Sequence, residues 1–196
     1  KKYENIVKKD AINYTAGAVG CAMSHLGLWN KCIELDKPII IMEDDVFVSK
    51  DFNKHVTNIM NMVSDDWDII LLSYNCDTVL SYSISNFEYT NCIFDNKKFT
   101  DNDIAVFQEL DIYPTVAKLR YAFGTSAYII SPKGAKLLKD RCFPMDNRKL
   151  NLKLKKMKSS SIDCMMNYYY NDINAYVCPI PFIMSKHLYI NYNSTI

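Results

Sequence analysis

Three consecutive carboxylates, Glu43, Asp44 and Asp45, directly follow the apolar run 39–42. A short apolar run of this kind, entered at Pro38, predicts a strand that is buried on both faces. Because alternate side chains of an extended strand point to opposite sides, we expect Glu43 and Asp45 to share one side and Asp44 to face the other. Two carboxylates on one side form a hard-oxygen site suited to Mg²⁺ or Mn²⁺, although the triplet also fits a solvated acidic turn.

The element that must position these acids lies immediately upstream. In the segment 20–35, apolar side chains at positions 22, 26, 29 and 33 recur at the spacing of one helical face. This pattern predicts a helix that is bounded by Gly20 and leads within a few residues into the acid-tipped strand. In open α/β sheets, ligands bind outside the carboxyl ends of the strands, which is where these acids are expected.

Further helices and strands continue the pattern. A second helix is predicted to begin at 49–52, and the apolar run 69–72 predicts a second buried strand. The segment 121–130 predicts a strand whose small central residues permit a close approach, and Ser131 with Pro132 predicts the start of another helix. This alternation favours an α/β fold in which helices flank a mostly parallel sheet.

Two later segments depart from the alternation. Residues 76–118 are rich in Asn, Asp, Ser, Thr and Tyr, and they predict an irregular insertion of hairpins and loops. The insertion is either a wall of a binding site or merely decorative. Residues 177–184 predict a last short strand, which Pro179 and Pro181 would confine to an edge of the sheet.

The composition is that of a single soluble globular domain over residues 1–196, with 49% hydrophobic and 23% charged residues. The net charge of +1 gives no reason to expect nucleic-acid binding. Seven cysteines without a Cys-x-x-Cys pair argue against a disulfide framework or a structural zinc site. With no long apolar run and no secretory signal, we expect a cytoplasmic protein, at most peripheral on the cytoplasmic face of a membrane.

A basic stretch lies within residues 147–160. Between Arg148 and Lys158 there are six positive charges and no negative one. The stretch is predicted to be either a solvated basic loop or an amphipathic segment that contacts an anionic membrane or an anionic acceptor lipid. The helical spacing of Leu150, Leu154 and Met157 keeps the membrane interpretation open.

The order Gly-Cys-Ala-Met-Ser-His at 20–25, a helix, and Ile-Ile-Met-Glu-Asp-Asp-Val at 40–46 resembles glycosyltransferase family 25. Members of this family are glycosyltransferases of lipopolysaccharide and lipooligosaccharide biosynthesis. The resemblance is close over residues 17–48 and looser at 124–135 and 161–163. It implies a Rossmann-like GT-A nucleotide-sugar fold, a Mn²⁺ or Mg²⁺ ion, and sugar transfer with inversion at the anomeric carbon.

The resemblance also implies roles for individual residues. The residues of these motifs that are predicted to bind the sugar donor are Gly20, Ser24, His25, Gly124 and Thr125. The metal would be held by Glu43 and Asp45, and by His187 because a late histidine commonly completes the metal site in GT-A enzymes. A lone histidine can equally be structural.

Asp163 is the predicted general base. An inverting transfer needs a carboxylate on the acceptor side of the sugar, separate from the metal ligands, and Asp163 matches the late Ile-Asp position of the family. The alternative is that Asp163 only caps a helix. The polar segment 1–16 departs from the family, because relatives begin with an apolar strand that helps hold the base. We expect this segment to be truncated or diverged, which leaves the base contacts unassigned.

The predicted function is metal-dependent transfer of a hexose, with galactose expected, from a UDP-sugar to a bacterial lipooligosaccharide, lipopolysaccharide or related surface glycan. One alternative is a family member that only binds glycan, which the missing first strand would permit. Another is a Mg²⁺-binding receiver domain. That alternative needs a phospho-accepting Asp after a later strand, whereas the strand at 69–72 is followed by Ser73.

Overall fold

The computed structural model describes residues 5–152 and 155–191, which form helices, strands and a 3₁₀ turn around a central sheet. The helices within these residues are α1 (Ala16–Leu35), α2 (Phe52–Met60), α3 (Asp101–Glu109), α4 (Pro132–Cys142) and α5 (Ile162–Asn167). The strands are β1 (Ile39–Met42), β2 (Val46–Val48), β3 (Ile69–Leu71), β4 (Val79–Ser83), β5 (Tyr89–Ile93), β6 (Ala117–Tyr121), β7 (Ala127–Ile130), β8 (Lys149–Leu152), β9 (Lys155–Lys158), β10 (Ala175–Val177) and β11 (Ile183–Ser185).

The central sheet has seven strands in the order β1-β7-β3-β10-β6-β4-β5. Only β3 and β10 pair in parallel, while the other neighbours pair antiparallel. The α/β class is confirmed, and the prediction of a mostly parallel sheet is wrong. β1, β3 and β10 do run in one direction, but β7 is inserted between β1 and β3 and runs against both.

Strand β1 lies at an edge of this sheet, since β7 is its only neighbour there. Ile41 is buried, whereas the side chains of Ile40 and Met42 are exposed. The predicted burial on both faces is therefore wrong for β1. Strand β3 does show it, because Ile69 packs into one hydrophobic core and Ile70 packs into another on the opposite face.

Helix α1 is the longest element and places one side chain of each turn against the sheet. Thr15 caps it by accepting a hydrogen bond from the Ala18 N–H at 3.1 Å, so the helix begins before Gly20. Its buried stripe consists of Ala18, Ala22, His25, Trp29 and Cys32. The recurrence of buried positions every three or four residues puts a histidine inside an otherwise apolar stripe.

The start of α4 follows the prediction. Ser131 accepts a hydrogen bond from the Gly134 N–H at 3.0 Å, and Pro132 occupies the first turn. The segment 76–118 holds the β4–β5 hairpin, which forms the far edge of the sheet, followed by α3. Thr100 and Asp103 form a capping box for α3, a signal that the polar composition of the segment had obscured.

In the basic stretch, β8 and β9 pair as a hairpin and not as a helix, and contact with an anionic membrane or acceptor lipid stays a prediction. Leu150 and Met157 pack against Phe123 and Cys164, while Lys149 and Lys158 face solvent as a cross-strand pair. Leu150 and Met157 thus share the covered face of the hairpin, and Lys149 and Lys158 lie on the opposite face. Leu154 lies outside the described residues.

The segment 177–184 is divided between two sheets instead of forming one edge strand. Val177 ends β10, a central strand, and the prolines follow it in a loop that leads to β11. β11 pairs with β2 in a separate two-stranded sheet. Among the helices that the structure describes, none has the length and apolar character needed to cross a membrane.

Candidate active site

A cavity of about 570 Å³ opens where β1 ends and β7 begins. It is lined by side chains from α1, the acidic triplet, the loop before β7, the start of α5 and the turn after β11. Eight of the sequence-predicted residues line it, namely Ser24, His25, Glu43, Asp45, Gly124, Thr125, Asp163 and His187. The volume falls in the range of about 300–1,000 Å³ typical of small-ligand sites.

Gly20 is the one predicted residue that does not line the cavity. It lies on the exposed surface of α1, and a Cβ added there would meet nothing within 4 Å. The structure adds polar residues that sequence reasoning missed, namely Cys21, Asp44, Asn75, Ser126, Ser161 and Ser185. Cys21 could have been found, because it precedes His25 by one helical turn. Asn75 could not have been predicted from a sequence motif, because it lies at the cavity only as a result of the order of the strands in the sheet.

The acidic triplet forms a bend after β1 and does not continue the strand. The Glu43 N–H donates to the Ser126 carbonyl at 2.9 Å, after which the chain turns into β2. All three acids line the cavity, so the expected separation of Asp44 from the other two is wrong. Strand alternation cannot be extended through a bend.

Within the described residues, one carboxylate oxygen of Glu43 makes both hydrogen bonds of the side chain. Oε1 accepts from the Thr125 hydroxyl at 2.7 Å and faces His25 Nε2 at 3.4 Å. Burial raises the pKa of Glu43, but the hydrogen bonds from His25 and Thr125 outweigh it and hold the pKa below its ordinary value. The carboxylate is therefore ionised at neutral pH, with Oε2 available for a ligand.

Behind Glu43, three aromatic side chains are joined by hydrogen bonds inside the core. Trp29 Nε1–H donates to the Tyr128 hydroxyl at 2.8 Å, and that hydroxyl lies 2.7 Å from His25 Nδ1. Trp29 and Tyr128 have no exposed surface, and His25 is 3% exposed. Burial raises the pKa of Tyr128 well above its ordinary value, so the hydroxyl keeps its proton.

Asp45 and His187 are brought together by the small sheet. β11 pairs with β2, and the Lys186 N–H then donates to the Asp45 carbonyl at 2.9 Å. Both ring nitrogens of His187 are buried without a hydrogen bond to any residue that the structure describes, and Nε2 lies 3.7 Å from Asp77 Oδ2. Burial lowers the pKa of His187, which favours the neutral ring at pH 7.

Asp163 lies in the first turn of α5 and is held by three donors. Oδ2 accepts from the Gly124 N–H at 2.9 Å, and Oδ1 accepts from the Cys164 N–H at 2.7 Å and from the Ser161 hydroxyl. Ser161 is the N-cap residue but its side chain makes no capping hydrogen bond, whereas Asp163 accepts the Cys164 N–H in the first turn, as the alternative of a helix-capping role predicts. The same carboxylate also joins the loop before β7 to α5.

The chain matches the family model of glycosyltransferase family 25 (LPS biosynthesis protein) over residues 1–162. The protein belongs to glycosyltransferase family 25. No curated protein matches the chain. The family match includes α1, the acidic triplet and the loop before β7, and it ends one residue before Asp163. Assignments for Asp163 and His187 therefore depend on the geometry of the cavity.

Gly124 shapes the cavity of this family 25 protein through its backbone. Its φ of 89° lies in the region that favours glycine, and a Cβ there would come within 2.3 Å of Asn75 Oδ1. Any side chain at this position would collide with Asn75 and shift the N–H that Asp163 accepts. The glycine thus permits the close approach that its place in the sequence predicted.

The donor set of the cavity fits a divalent cation. Carboxylates are hard oxygen ligands, and the neutral imidazole of His187 has buried nitrogens with no hydrogen-bond partner in the described ranges 5–152 and 155–191. Glu43, Asp45 and His187 all line the cavity, although in the part of the chain that the structure describes their ligand atoms do not all lie within 4.8 Å of one another. Asp163 belongs to a separate part of the wall, fixed by α5 and the loop before β7, and could act on a second substrate.

Proposed function

We propose that this family 25 chain is a metal-dependent, inverting glycosyltransferase. It would transfer a hexose, with galactose as the expected sugar, from a UDP-sugar to a lipooligosaccharide, lipopolysaccharide or related glycan. The observation that carries the proposal is that one cavity contains both Glu43, Asp45 and His187 and the separately held Asp163. In a metal-dependent inverting transfer, the first group would stabilise the leaving nucleotide through the cation and the second would activate the acceptor.

On the donor side, Glu43, Asp45 and His187 would hold Mn²⁺ or Mg²⁺. The bound ion would offset the negative charge that develops on the diphosphate as the nucleotide leaves. Thr125 was predicted to bind the sugar donor, but its hydroxyl donates a hydrogen bond to Glu43. We therefore assign Thr125 the task of orienting a cation ligand.

On the acceptor side, Asp163 would take the proton from the attacking hydroxyl. An ionised carboxylate offers about four acceptor sites, and Asp163 already uses three of them for protein donors. One site therefore remains for the acceptor hydroxyl. Gly124 was also predicted to bind the sugar donor. Its backbone N–H supplies one of the three hydrogen bonds to Asp163 and so helps to orient the carboxylate.

The test is to titrate UDP with and without Mn²⁺ and then to follow UDP release from a panel of UDP-sugars. We expect Mn²⁺ to strengthen UDP binding, and one UDP-sugar to release UDP faster when a glycan acceptor is added. A chelator should abolish both effects. Equal UDP affinity with and without the metal would contradict the metal assignment. Glycan binding without any UDP release would favour the alternative of a binding protein.

A further inference from the structure

Within the described residues, His25 forms side-chain hydrogen bonds with Tyr128 and Glu43 alone. It therefore links the core, at Tyr128, to the cavity, at Glu43. The ring is stacked on Tyr128 with a centroid separation of 5.7 Å, which leaves the imidazole little freedom to rotate. Its Nδ1 faces the Tyr128 hydroxyl and its Nε2 faces Glu43 Oε1. Which ring nitrogen of His25 carries the proton therefore decides whether Glu43 receives a hydrogen bond from His25.

The hydrogen-bond network assigns that state. An indole N–H can only donate, so the Tyr128 oxygen must accept from Trp29. Among the described residues, His25 Nδ1 is then the one acceptor within reach of the Tyr128 hydroxyl proton. A nitrogen that accepts this proton carries a lone pair, so the ring proton of the neutral imidazole lies on Nε2.

We propose that His25 is a positioning residue. The chain Trp29, Tyr128, His25 would fix the Nε2–H tautomer, which donates to Glu43 Oε1 and so presents Oε2 to the cation that accompanies the sugar donor. The inference rests on the proposed function for the role of that cation. The tautomer itself follows from the buried hydrogen bonds alone.

The same assignment decides how to interpret a neighbouring cluster. Cys21, His25 and Glu43 each place a potential ligand atom within 4.8 Å of the others. A soft metal bound among them would need a lone pair on the His25 nitrogen that faces Glu43. That nitrogen carries the proton and faces Glu43 Oε1 at 3.4 Å. The cluster is therefore a hydrogen-bonded support for Glu43.

The first test removes only the Tyr128 hydroxyl, in Tyr128→Phe. Because a partner that orients a metal ligand typically contributes about 10- to 100-fold to affinity, we expect Mn²⁺ to bind at least about tenfold more weakly. Binding is measured without nucleotide, from the electron paramagnetic resonance signal of free Mn²⁺. The matched control is Tyr170→Phe, since Tyr170 is equally buried and its hydroxyl has no hydrogen-bond partner among the described residues. The control should leave Mn²⁺ affinity within about twofold, because its hydroxyl orients nothing.

The second test observes the tautomer directly. Long-range ¹H–¹⁵N spectra of histidine-labelled protein distinguish Nε2–H from Nδ1–H rings, and the chain has 3 histidines. The His25 signals are assigned by their loss in His25→Gln. We expect the parent to show the Nε2–H form and Tyr128→Phe to show a mixture.

Substitution of His25 separates positioning from folding. Gln keeps an N–H donor for Glu43 and a carbonyl acceptor for Tyr128, so His25→Gln should retain Mn²⁺ affinity within about threefold. His25→Leu keeps the bulk without the donor and should lose about 10- to 100-fold. A purely structural role predicts lower melting temperatures and unchanged Mn²⁺ affinity in both variants.

The outcomes distinguish the inference from the proposed function. A parent protein that binds no Mn²⁺ would overturn the proposed metal site. A parent that binds Mn²⁺ but shows the Nδ1–H ring would overturn the positioning role of His25. So would a folded Tyr128→Phe variant that binds Mn²⁺ as tightly as the parent.

Discussion

Two carboxylates in one cavity are held in different ways. Glu43 accepts from the side chains of Thr125 and His25, which come from the loop before β7 and from α1. Asp163 accepts mainly from the backbone N–H groups of Gly124 and Cys164. Side-chain donors can be removed singly by substitution, whereas backbone donors change only when the path of the chain changes. The position of Glu43 should therefore be tunable by mutation, and the position of Asp163 should depend on Gly124.

The largest expected effect is that of Asp163→Asn on turnover. A general base contributes about 10²- to 10⁴-fold to rate, so kcat should fall by about that factor while Mn²⁺ and UDP affinities stay near those of the parent. The new amide also places an NH₂ group against a backbone donor, which should cost about 1–3 kcal/mol of unfolding free energy. Steady-state kinetics and thermal melting measure the two effects separately.

Ser161→Ala is the control for this substitution. It removes one donor to Asp163 and leaves the carboxylate with its two backbone donors. The kcat of this variant should stay within about tenfold of the parent, well short of the loss of a general base. An Asp163→Asn variant with parental kcat would show that another group deprotonates the acceptor.

The next effect is the loss of metal-dependent UDP binding in Asp45→Asn. The fold should be retained, since neighbouring carboxylates repel one another when no cation is bound. Mn²⁺ affinity should fall by more than about tenfold, or about 1.4 kcal/mol. Glu43→Gln should cost less, because its carbonyl oxygen can still accept from Thr125. Isothermal titration with Mn²⁺ and UDP checks both variants.

Asp44→Asn is the comparison within the triplet. Asp44 lines the same cavity but is the most exposed of the three acids, so its loss should change Mn²⁺ affinity least. If Asp44→Asn weakens Mn²⁺ binding more than Asp45→Asn does, the metal ligands are misassigned.

A smaller effect, on stability, is expected for Gly124→Ala. The added Cβ would lie 2.3 Å from Asn75 Oδ1 at a φ of 89°, so we expect a loss of about 1–3 kcal/mol together with reduced kcat. The control is Gly27→Ala inside α1, where a Cβ would meet nothing within 4 Å. That change should stabilise the protein by about 0.5–1 kcal/mol. Thermal melting of both variants tests the contrast, and a Gly124→Ala variant as stable as the parent would remove the argument for a required glycine.

The sequence named candidate residues of the cavity more completely than it predicted the sheet. His25, Glu43 and Thr125 could be named because they stand in short motifs that resemble family 25, and their roles stay predictions. The sheet could not be predicted, because which strand pairs with β1 depends on long-range contacts that local periodicity does not contain. Ile40 is an example: it was predicted to be buried but is exposed, because an apolar run has the same sequence pattern at the edge of a sheet as in its centre.

Asp163 and Gly124 show where local patterns stop being informative. Each could be marked as a candidate, but the hydrogen bond between them spans 39 residues and requires the loop before β7 to meet the start of α5. Helix α3 was missed for a different reason. Its capping box, Thr100 with Asp103, was present in the sequence, yet only Ile104 and Phe107 supply its buried face. Two buried residues give too weak a helical period to stand out from polar surroundings.

The smallest expected effect concerns Asp146, a carboxylate outside the cavity that is held by charged side chains. Arg148 Nε donates to Oδ1 at 2.7 Å and its Nη2 donates to Oδ2 at 3.0 Å, while Lys8 reaches Oδ2 at 3.0 Å. The Arg148 hydrogen bonds hold the pKa of Asp146 well below its usual range. A carboxyl group whose pKa is lowered by folding stabilises the protein above its unfolded pKa of about 3.9. That stability is lost as the pH falls through the lower, folded pKa.

Asp146→Asn should therefore lower the melting temperature at pH 7 by about 2–4 °C, which corresponds to about 1 kcal/mol in a domain of this size. The difference between parent and variant should shrink as the pH falls below about 4, because the unfolded parent then takes up a proton at Asp146 while the folded parent still keeps its charge. Melting temperatures across pH 3–7 at constant ionic strength measure it. Because Asp146 does not line the cavity, kcat at pH 7 and 25 °C should stay at the parental value. A melting-temperature difference that grows toward low pH would mean that the pair of Asp146 and Arg148 does not stabilise the fold. Asp146 would then not be comparable with Glu43 and Asp163 as a carboxylate held by its hydrogen bonds.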